Sequence, residues 1–193
     1  MFGPPGTRRR GETLERAIFS AVLAELDSVG YDAMTMEGVA AKAQTGKAAL
    51  YRRWPSKQDL VLDTLQCQLP LCGELPDTGT IRGDLLVLLS GMAAMFGSPT
   101  GAATQSVIGN LKRNPDIAEA VHERVVAPRQ RLMMGALRRG AERGEVRADA
   151  VSPLVAAVGP CMIIHKFMTE GPPISEKSVE AIIDEVILPM LRP

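Results

Sequence analysis

Lys42, Lys47, Arg52, Arg53 and Lys57 fall within 16 consecutive residues that contain no Asp or Glu. Cations spread along one short segment can neutralise a row of phosphates, although the same run taken alone also reads as a solvated face. Arg8, Arg9 and Arg10 precede them, as a disordered arm for a minor groove or as an inert basic tail. Other chemistry is sparse. His122 and His165 are the two histidines, and neither stands near a nucleophile motif or a second ligand at metal-binding spacing. His122, beside Glu123 and Arg124, reads as a surface residue; His165, after Ile163 and Ile164, reads as a satisfied core group or a polar anchor in a pocket. Cys67, Cys72 and Cys161 are odd in number and fit no disulfide framework, so reduced structural thiols are expected. No Gly-rich phosphate loop is present. The expectation is therefore no catalytic residue, no metal and no cofactor.

The charge balance narrows where an anion could bind. The chain of 193 residues has 22 Lys+Arg and 22 Asp+Glu, which argues against a polybasic protein acting through bulk charge. Any nucleic-acid site must be local. Residues 1–60 hold 9 basic and 7 acidic side chains, and residues 61–193 hold 13 and 15, so the excess sits in the first third. The longest apolar runs, Leu85 to Leu89 and Leu154 to Ile164, are short of the roughly 18 residues that span a bilayer. Gly11-Glu12-Thr13-Leu14-Glu15 follows the arginines where a signal peptide would have an apolar stretch. A cytoplasmic protein with no membrane contact is expected.

The elements that must position these residues are helical. Leu14, Ala17, Ile18, Ala21, Val22, Leu26 and Val29 recur at helical spacing, with Gly30 as the stop. Thr35 suits an N-cap for a short helix to Ala43, with Glu37 in its first turn. Gln44, Thr45 and Gly46 then link to a third short helix from Lys47 to Arg53, which stops before Pro55. Two short helices with three linking residues form a helix-turn-helix pattern. Ser56 and Asp59 resemble a capping box for a fourth helix ending near Pro70. Cys72 to Thr80, with Gly73, Pro76, Asp77 and Gly79, marks a boundary. Beyond it the periodicity predicts helices at about 81–96, 103–113, 115–140, 152–169 and 175–191, with kinks or breaks at Pro128 and Pro160.

The segment from Met34 to Ala40 and the run Ala49-Leu50-Tyr51-Arg52-Arg53-Trp54-Pro55-Ser56-Lys57-Gln58-Asp59-Leu60 resemble the DNA-binding domain of the TetR family of bacterial transcriptional regulators. The resemblance covers about residues 10–65 and implies an all-α fold of about nine helices. It implies a helix-turn-helix domain at 1–60, with 1–10 a flexible basic arm, and a helical ligand-binding and dimerisation domain at 61–193. Carried over residue by residue, Thr35 caps the first reading helix and touches a phosphate. Thr45, Gly46, Lys47, Ala48, Ala49 and Arg52 lie at or beside the major-groove helix, Tyr51 donates to the backbone, and Lys57 holds a phosphate. Small residues at the start of a recognition helix permit close approach to base edges. The chain departs from the family pattern at Gln44, where a turn glycine is usual, and at Gly46, where a Ser or Thr cap is usual. Trp54 replaces a more usual Phe and is expected only to pack the core.

For the second domain the resemblance implies a small effector and a homodimer. Met92, Met95, Phe96, Met133, Leu137, Met162, His165 and Phe167 are candidate ligand contacts, because flexible thioethers and aromatics line adaptable apolar cavities as readily as plain cores. Arg131, Arg138 or Lys166 could pair with an acid on such a ligand. Val155, Val158, Ile163, Ile182 and Val186 are candidate dimer contacts on the last two helices, with packing inside one subunit as the competing role. The expected function is a ligand-responsive regulator, a repressor that binds a palindromic DNA operator as a dimer and is released by an apolar effector. Activation or dual control by the same fold is the alternative, since the sign of control depends on operator position. An enzyme using the second domain is the remote one.

Overall fold

The computed structural model describes residues 11–67, 75–109, 111 and 114–192. The arm Arg8 to Arg10, Cys72, and the end of the helix expected at 103–113 lie outside the described residues. Among those described, all regular structure is helical, with no strand. Four helices form the N-terminal part: α1 (Glu12–Ala33), α2 (Met36–Lys42), α3 (Lys47–Tyr51) and α4 (Lys57–Cys67). Five follow: α5 (Ile81–Phe96), α6 (Pro99–Ile108), α7 (115–142), α8 (Pro153–Glu170) and α9 (176–191), with a short 3-10 turn at Ala148–Ala150. No single helix among the described residues is long and apolar enough to cross a membrane, although α5 and α6 pass by composition as a pair bent by 83°.

The apolar stripe of α1 buries Ile18, Val22 and Leu26 against Val39, Leu50, Trp54 and Leu60. Val29, in phase with that stripe by sequence, is 49% exposed, and the helix kinks at the next residue, Gly30, whose φ of 76° favours glycine. The kink turns Tyr31 inward, where its N–H donates to Ser106 Oγ of α6 at 3.0 Å. The first core does not end with α4: Ala103 and Val107 of α6 and Ile117 and Val121 of α7 belong to the same cluster. A second core gathers Leu85 and Leu89 of α5, Leu137 of α7, Ile163 of α8 and Ile183 of α9.

Helix α6 starts four residues before its expected position. Ser98 accepts from Thr100 N–H at 3.2 Å and Pro99 occupies the first turn, a start signal present in the chain that the apolar period masked. Helix α7 runs through Pro128 by means of a π turn at His122–Val126, and α9 runs through Pro189 after a π turn at Ile182–Ile187. Proline lacks the N–H that a carbonyl four residues back needs; a turn bonding five residues on bypasses it. The break expected at Pro160 is absent, since α8 continues to Glu170.

The described strap before α5 is held by charge. Asp84, fully buried, accepts from the Thr78 N–H at 2.7 Å, from the Thr78 hydroxyl at 2.8 Å and from Arg143 Nη2 at 3.0 Å. Burial alone would raise the Asp84 pKa, but the Thr78 N–H, the Arg143 guanidinium and the Thr78 hydroxyl outweigh it and hold the carboxyl below its ordinary value. Arg139 donates to Pro76 O at 2.8 Å and Glu145 accepts from Ile81 N–H at 2.8 Å, so the last turn of α7 and the residues just after it grip the segment that enters the second core.

Candidate nucleic-acid interface and apolar hollow

Thr35 stands in extended conformation before α2, and its Oγ1 accepts from Gly38 N–H at 3.0 Å. That bond satisfies one of the orphan donors of the first turn, and the exposed hydroxyl remains beside the positive helix end. The link to α3 closes through Thr45 N–H, which donates to Ala40 O at 2.9 Å. It requires Gln44 at φ 54°, the left-handed region in which a glycine would be unstrained. Gly46 is the N-cap of α3 with no side-chain cap bond, and a Cβ there would meet nothing within 4 Å.

Helix α3 is pinned from behind by Leu50, which is fully buried, while Lys47, Ala48 and Tyr51 are exposed on the other side, with Arg52 exposed just after it. Ala49 and Thr45 are half-buried at its flank. Trp54 does pack the core: its ring lies edge-on to Phe19 with centroids 5.8 Å apart. Its Nε1 also donates to Asp63 Oδ2 at 2.8 Å, a bond that ties α3 to α4. The structure thus gathers Thr35, Lys47, Ala48, Tyr51 and Arg52 as accessible groups around two short helices.

Four of the five basic residues are engaged within the protein: Lys42 pairs with Glu25 at 3.0 Å and Arg53 with Glu15 at 2.8 Å, and Lys47 and Lys57 have partners too. Lys47 pairs with Glu37 of α2, which raises the Lys47 pKa and lowers that of Glu37, and its Nζ lies 5.5 Å from the centre of the Tyr51 ring. Lys57 Nζ donates to Tyr31 O at 2.9 Å and Asp32 O at 3.2 Å and lies 4.6 Å from the Tyr31 ring centre. It therefore caps the end of α1, which leaves one of its three donors for a phosphate. Spacing did not reveal this, since the carbonyls arrive from 25 and 26 residues away.

In the second core, α5, α7 and α8 meet around a small hollow that is partly open to solvent. Leu88, Leu89, Met92, Leu132, Met133 and Pro160 line it together with Arg129. Of the expected ligand contacts, Met92 and Met133 are there. Met95, Phe96, Leu137 and Phe167 are instead buried core, with the Phe96 and Phe167 rings stacked at 4.4 Å, and Met162 packs half-buried against them. His165 is exposed on α8, neither a core group nor a pocket anchor, because its face of the helix points to solvent. Arg131 and Arg138 are exposed too; the cation at the hollow is Arg129, whose Nη1 donates to Val125 O one turn back. Sequence spacing could not choose among these arginines, since the π turn shifts the phase of α7 ahead of them.

The expected dimer contacts divide. Ile163 and Ile182 are buried in their own subunit's core and so cannot meet a partner, while Val155, Val158 and Val186 are half-buried. The exposed apolar side chains of α8 are Leu154, 79% exposed, and Met168, 63% exposed. Cys161 stands exposed between them, and Cys67 is exposed as well; both are free thiols.

A short helix held from behind by its own core and bare along its front, preceded by a capped helix and a tight turn, defines a helix-turn-helix DNA-binding module. The family described as "Bacterial regulatory proteins, tetR family" matches residues 18–64, and "Tetracyclin repressor-like, C-terminal domain" matches residues 75–186. The chain belongs to the TetR family: it is a DNA-binding transcription regulator and not an enzyme. An uncharacterized HTH-type transcriptional regulator of Mycobacterium tuberculosis is 32% identical over 177 residues, 92% of this chain and 87% of the relative. The DNA-binding transcriptional repressor TetR of Mycobacteroides abscessus is 28% identical, over 95% of this chain and 97% of the relative. Among solved structures, the TetR family transcription regulator SCO0332 matches with a TM-score of 0.68 at 28% identity, covering 94% of this chain and 100% of that one.

Proposed function

We propose that the chain is a homodimeric, effector-responsive repressor, with residues 1–60 as the reading head and 61–193 as the effector and dimer domain, acting on DNA in the cytoplasm. The observation that carries this reading is the double role of α7. Its middle lines the apolar hollow through Arg129, Leu132 and Met133. Just before that stretch it ion-pairs with the head: Arg124 lies 3.5 Å from Asp59 and 3.4 Å from Asp63 of α4. Gln58 of α4 also donates to Asp116 O at 3.4 Å. An effector that alters α7 must therefore disturb the base of the head, and so the distance between two heads in a dimer. It releases DNA only if it binds the released state more tightly, since equal affinity for both shifts nothing. The apolar lining of the hollow favours a mainly apolar effector. The repressor named among the relatives supports the sign of control.

Fluorescence anisotropy on a duplex from upstream of the gene, against a scrambled duplex and at several salt concentrations, tests the reading. Specific binding to a palindrome with a steep salt slope, because bound phosphates release counterions, is expected. Equal weak binding to every duplex, including those from a random-sequence selection, would remove operator recognition.

A further inference from the structure

Lys47 opens α3, at the end of a reading helix that meets base edges, and its side chain is exposed. Its ammonium is nonetheless already paired with Glu37, an exposed acid in the first turn of α2. An anion on the face that approaches a polyanion weakens binding, and it is not needed to join the two helices. The Thr45 N–H bond to Ala40 O closes their turn, and Val39 and Leu50 share one core. We infer that Glu37 sets the sequence specificity of the head by turning Lys47 from a cation for any phosphate into a donor for guanine. The inference rests on the operator-reading part of the proposed function and is independent of the effector.

A lone ammonium is attracted to every phosphate, whatever the base sequence. The Glu37 carboxylate opposes that attraction twice: it cancels the Lys47 charge, and it would be left as an unpaired anion near the phosphates if Lys47 swung away. The bond between them holds the Glu37 carboxyl below its ordinary pKa and raises that of Lys47, so both are charged at neutral pH. Hydrogen bonding survives the pairing. An ammonium has three donors, and one held by Glu37 leaves two, which match the O6 and N7 acceptors that guanine turns to the major groove. Adenine presents an amino donor where guanine has O6, so it offers the same lysine less. Gly46 and exposed Ala48 flank Lys47 without bulk, which permits close approach to a base edge. Arg52, just past the other end of α3, is the contrast. Among the described residues its side chain has no hydrogen bond or ion pair, so it keeps its full attraction for phosphate.

The operator is taken from random-sequence selection on the full chain, and anisotropy compares it with a scrambled duplex across a salt series. Each guanine of the selected site is then replaced in turn by 7-deazaguanine, which lacks the N7 acceptor. One guanine in each half-site is expected to cost the unaltered protein about tenfold when replaced and the Lys47→Gln protein nothing. Glu37→Gln keeps the shape and removes the charge. It should bind the scrambled duplex about three- to tenfold tighter, steepen the salt slope by about 0.9 as one more phosphate is neutralised, and shrink the 7-deazaguanine cost to below about threefold. Arg52→Gln should lower the salt slope by a similar amount and leave that guanine's cost unchanged. A Glu37→Gln protein that tightens on operator and scrambled duplex equally, with the 7-deazaguanine cost intact, would make Glu37 a general charge and overturn the inference. A change of preferred base at an unchanged salt slope would overturn it too, because Glu37 would then read the base itself. So would a selected site in which no guanine depends on Lys47. If selection yields no duplex preferred over the scrambled one, operator reading itself fails.

Discussion

Gln44 holds a backbone position that costs a side-chain-bearing residue free energy: at φ 54° its Cβ crowds the following carbonyl. Gln44→Gly should therefore stabilise the chain by about 0.5–1 kcal/mol, less glycine's extra entropy in the unfolded state, and raise Tm by about 1–3 °C in calorimetry. The position was visible in the sequence as a departure from the family pattern, and the backbone supplies its physical meaning. Tyr51, 42% exposed beside Lys47, presents its hydroxyl on the bare side of α3. If it donates to a phosphate, Tyr51→Phe should weaken binding to operator and scrambled duplex alike, by about tenfold at most, because phosphates carry no sequence information. Anisotropy on single-base operator variants would expose the opposite outcome, a loss confined to one base pair. The caps at Thr35 and Ser56 were legible because a cap and its target lie within three residues; Ser56 Oγ indeed accepts from Asp59 N–H at 3.1 Å. Lys57 was legible only as a cation, since nothing local tells it to cap α1.

Helix limits were readable where a stop signal and an apolar period agreed, as at Ile81–Phe96, and were lost where they conflicted, as at Ser98-Pro99. Proline positions marked irregularity in α7 but not its kind. Whether a helix widens, bends or simply continues depends on neighbours that hold its axis, and α8 continues through Pro160 wedged beside α5 and α7 around the hollow. The strap that enters α5 was legible only as a turn-rich boundary, because its lock joins Thr78 and Asp84 to Arg143, 59 residues beyond Asp84. Asp84→Asn keeps the shape but loses the charge opposite Arg143, which should lower stability by about 2 kcal/mol, less than for a fully buried pair because Arg143 is partly exposed. The pH dependence has a fixed sign. A carboxyl whose folded pKa lies below its ordinary 3.8 contributes stability that is fully present above 3.8 and is lost as pH falls through the folded value. Urea titrations between neutral pH and about pH 2.5 should therefore show the gap between the unaltered chain and Asp84→Asn closing in that acid window. A gap that stays constant would place the Asp84 contribution in its neutral hydrogen bonds.

At the scale of the whole molecule, the two cores decide what remains for a partner. The wide apolar stripe of the last helix looked by sequence like an interface, yet Val179, Ile182, Ile183 and Ile187 are spent inside the subunit. A pattern at helical spacing reports that a face is covered, not by which chain. The most exposed large apolar side chains described are Leu154 and Met168 of α8, and with half-buried Val158 and exposed Cys161 they follow one another at steps of four, three and seven residues and so share one side. Two such stripes packed across a twofold axis, each beside α9, would bury both at once and set two heads on half-sites roughly 34–36 Å apart. Leu154→Glu places a charge near the start of that stripe without touching either core, so helicity by circular dichroism and the thermal transition of the isolated subunit should be preserved. Light scattering after gel filtration should then move from dimer to monomer. Operator affinity should fall steeply in the same variant, since each head would have to bind its half-site without the other's effective concentration. The salt slope should fall to about half, because a single head releases half the counterions. A Leu154→Glu protein that stays dimeric and keeps its full salt slope would move the interface off α8 and leave Leu154 and Met168 as surface for something else.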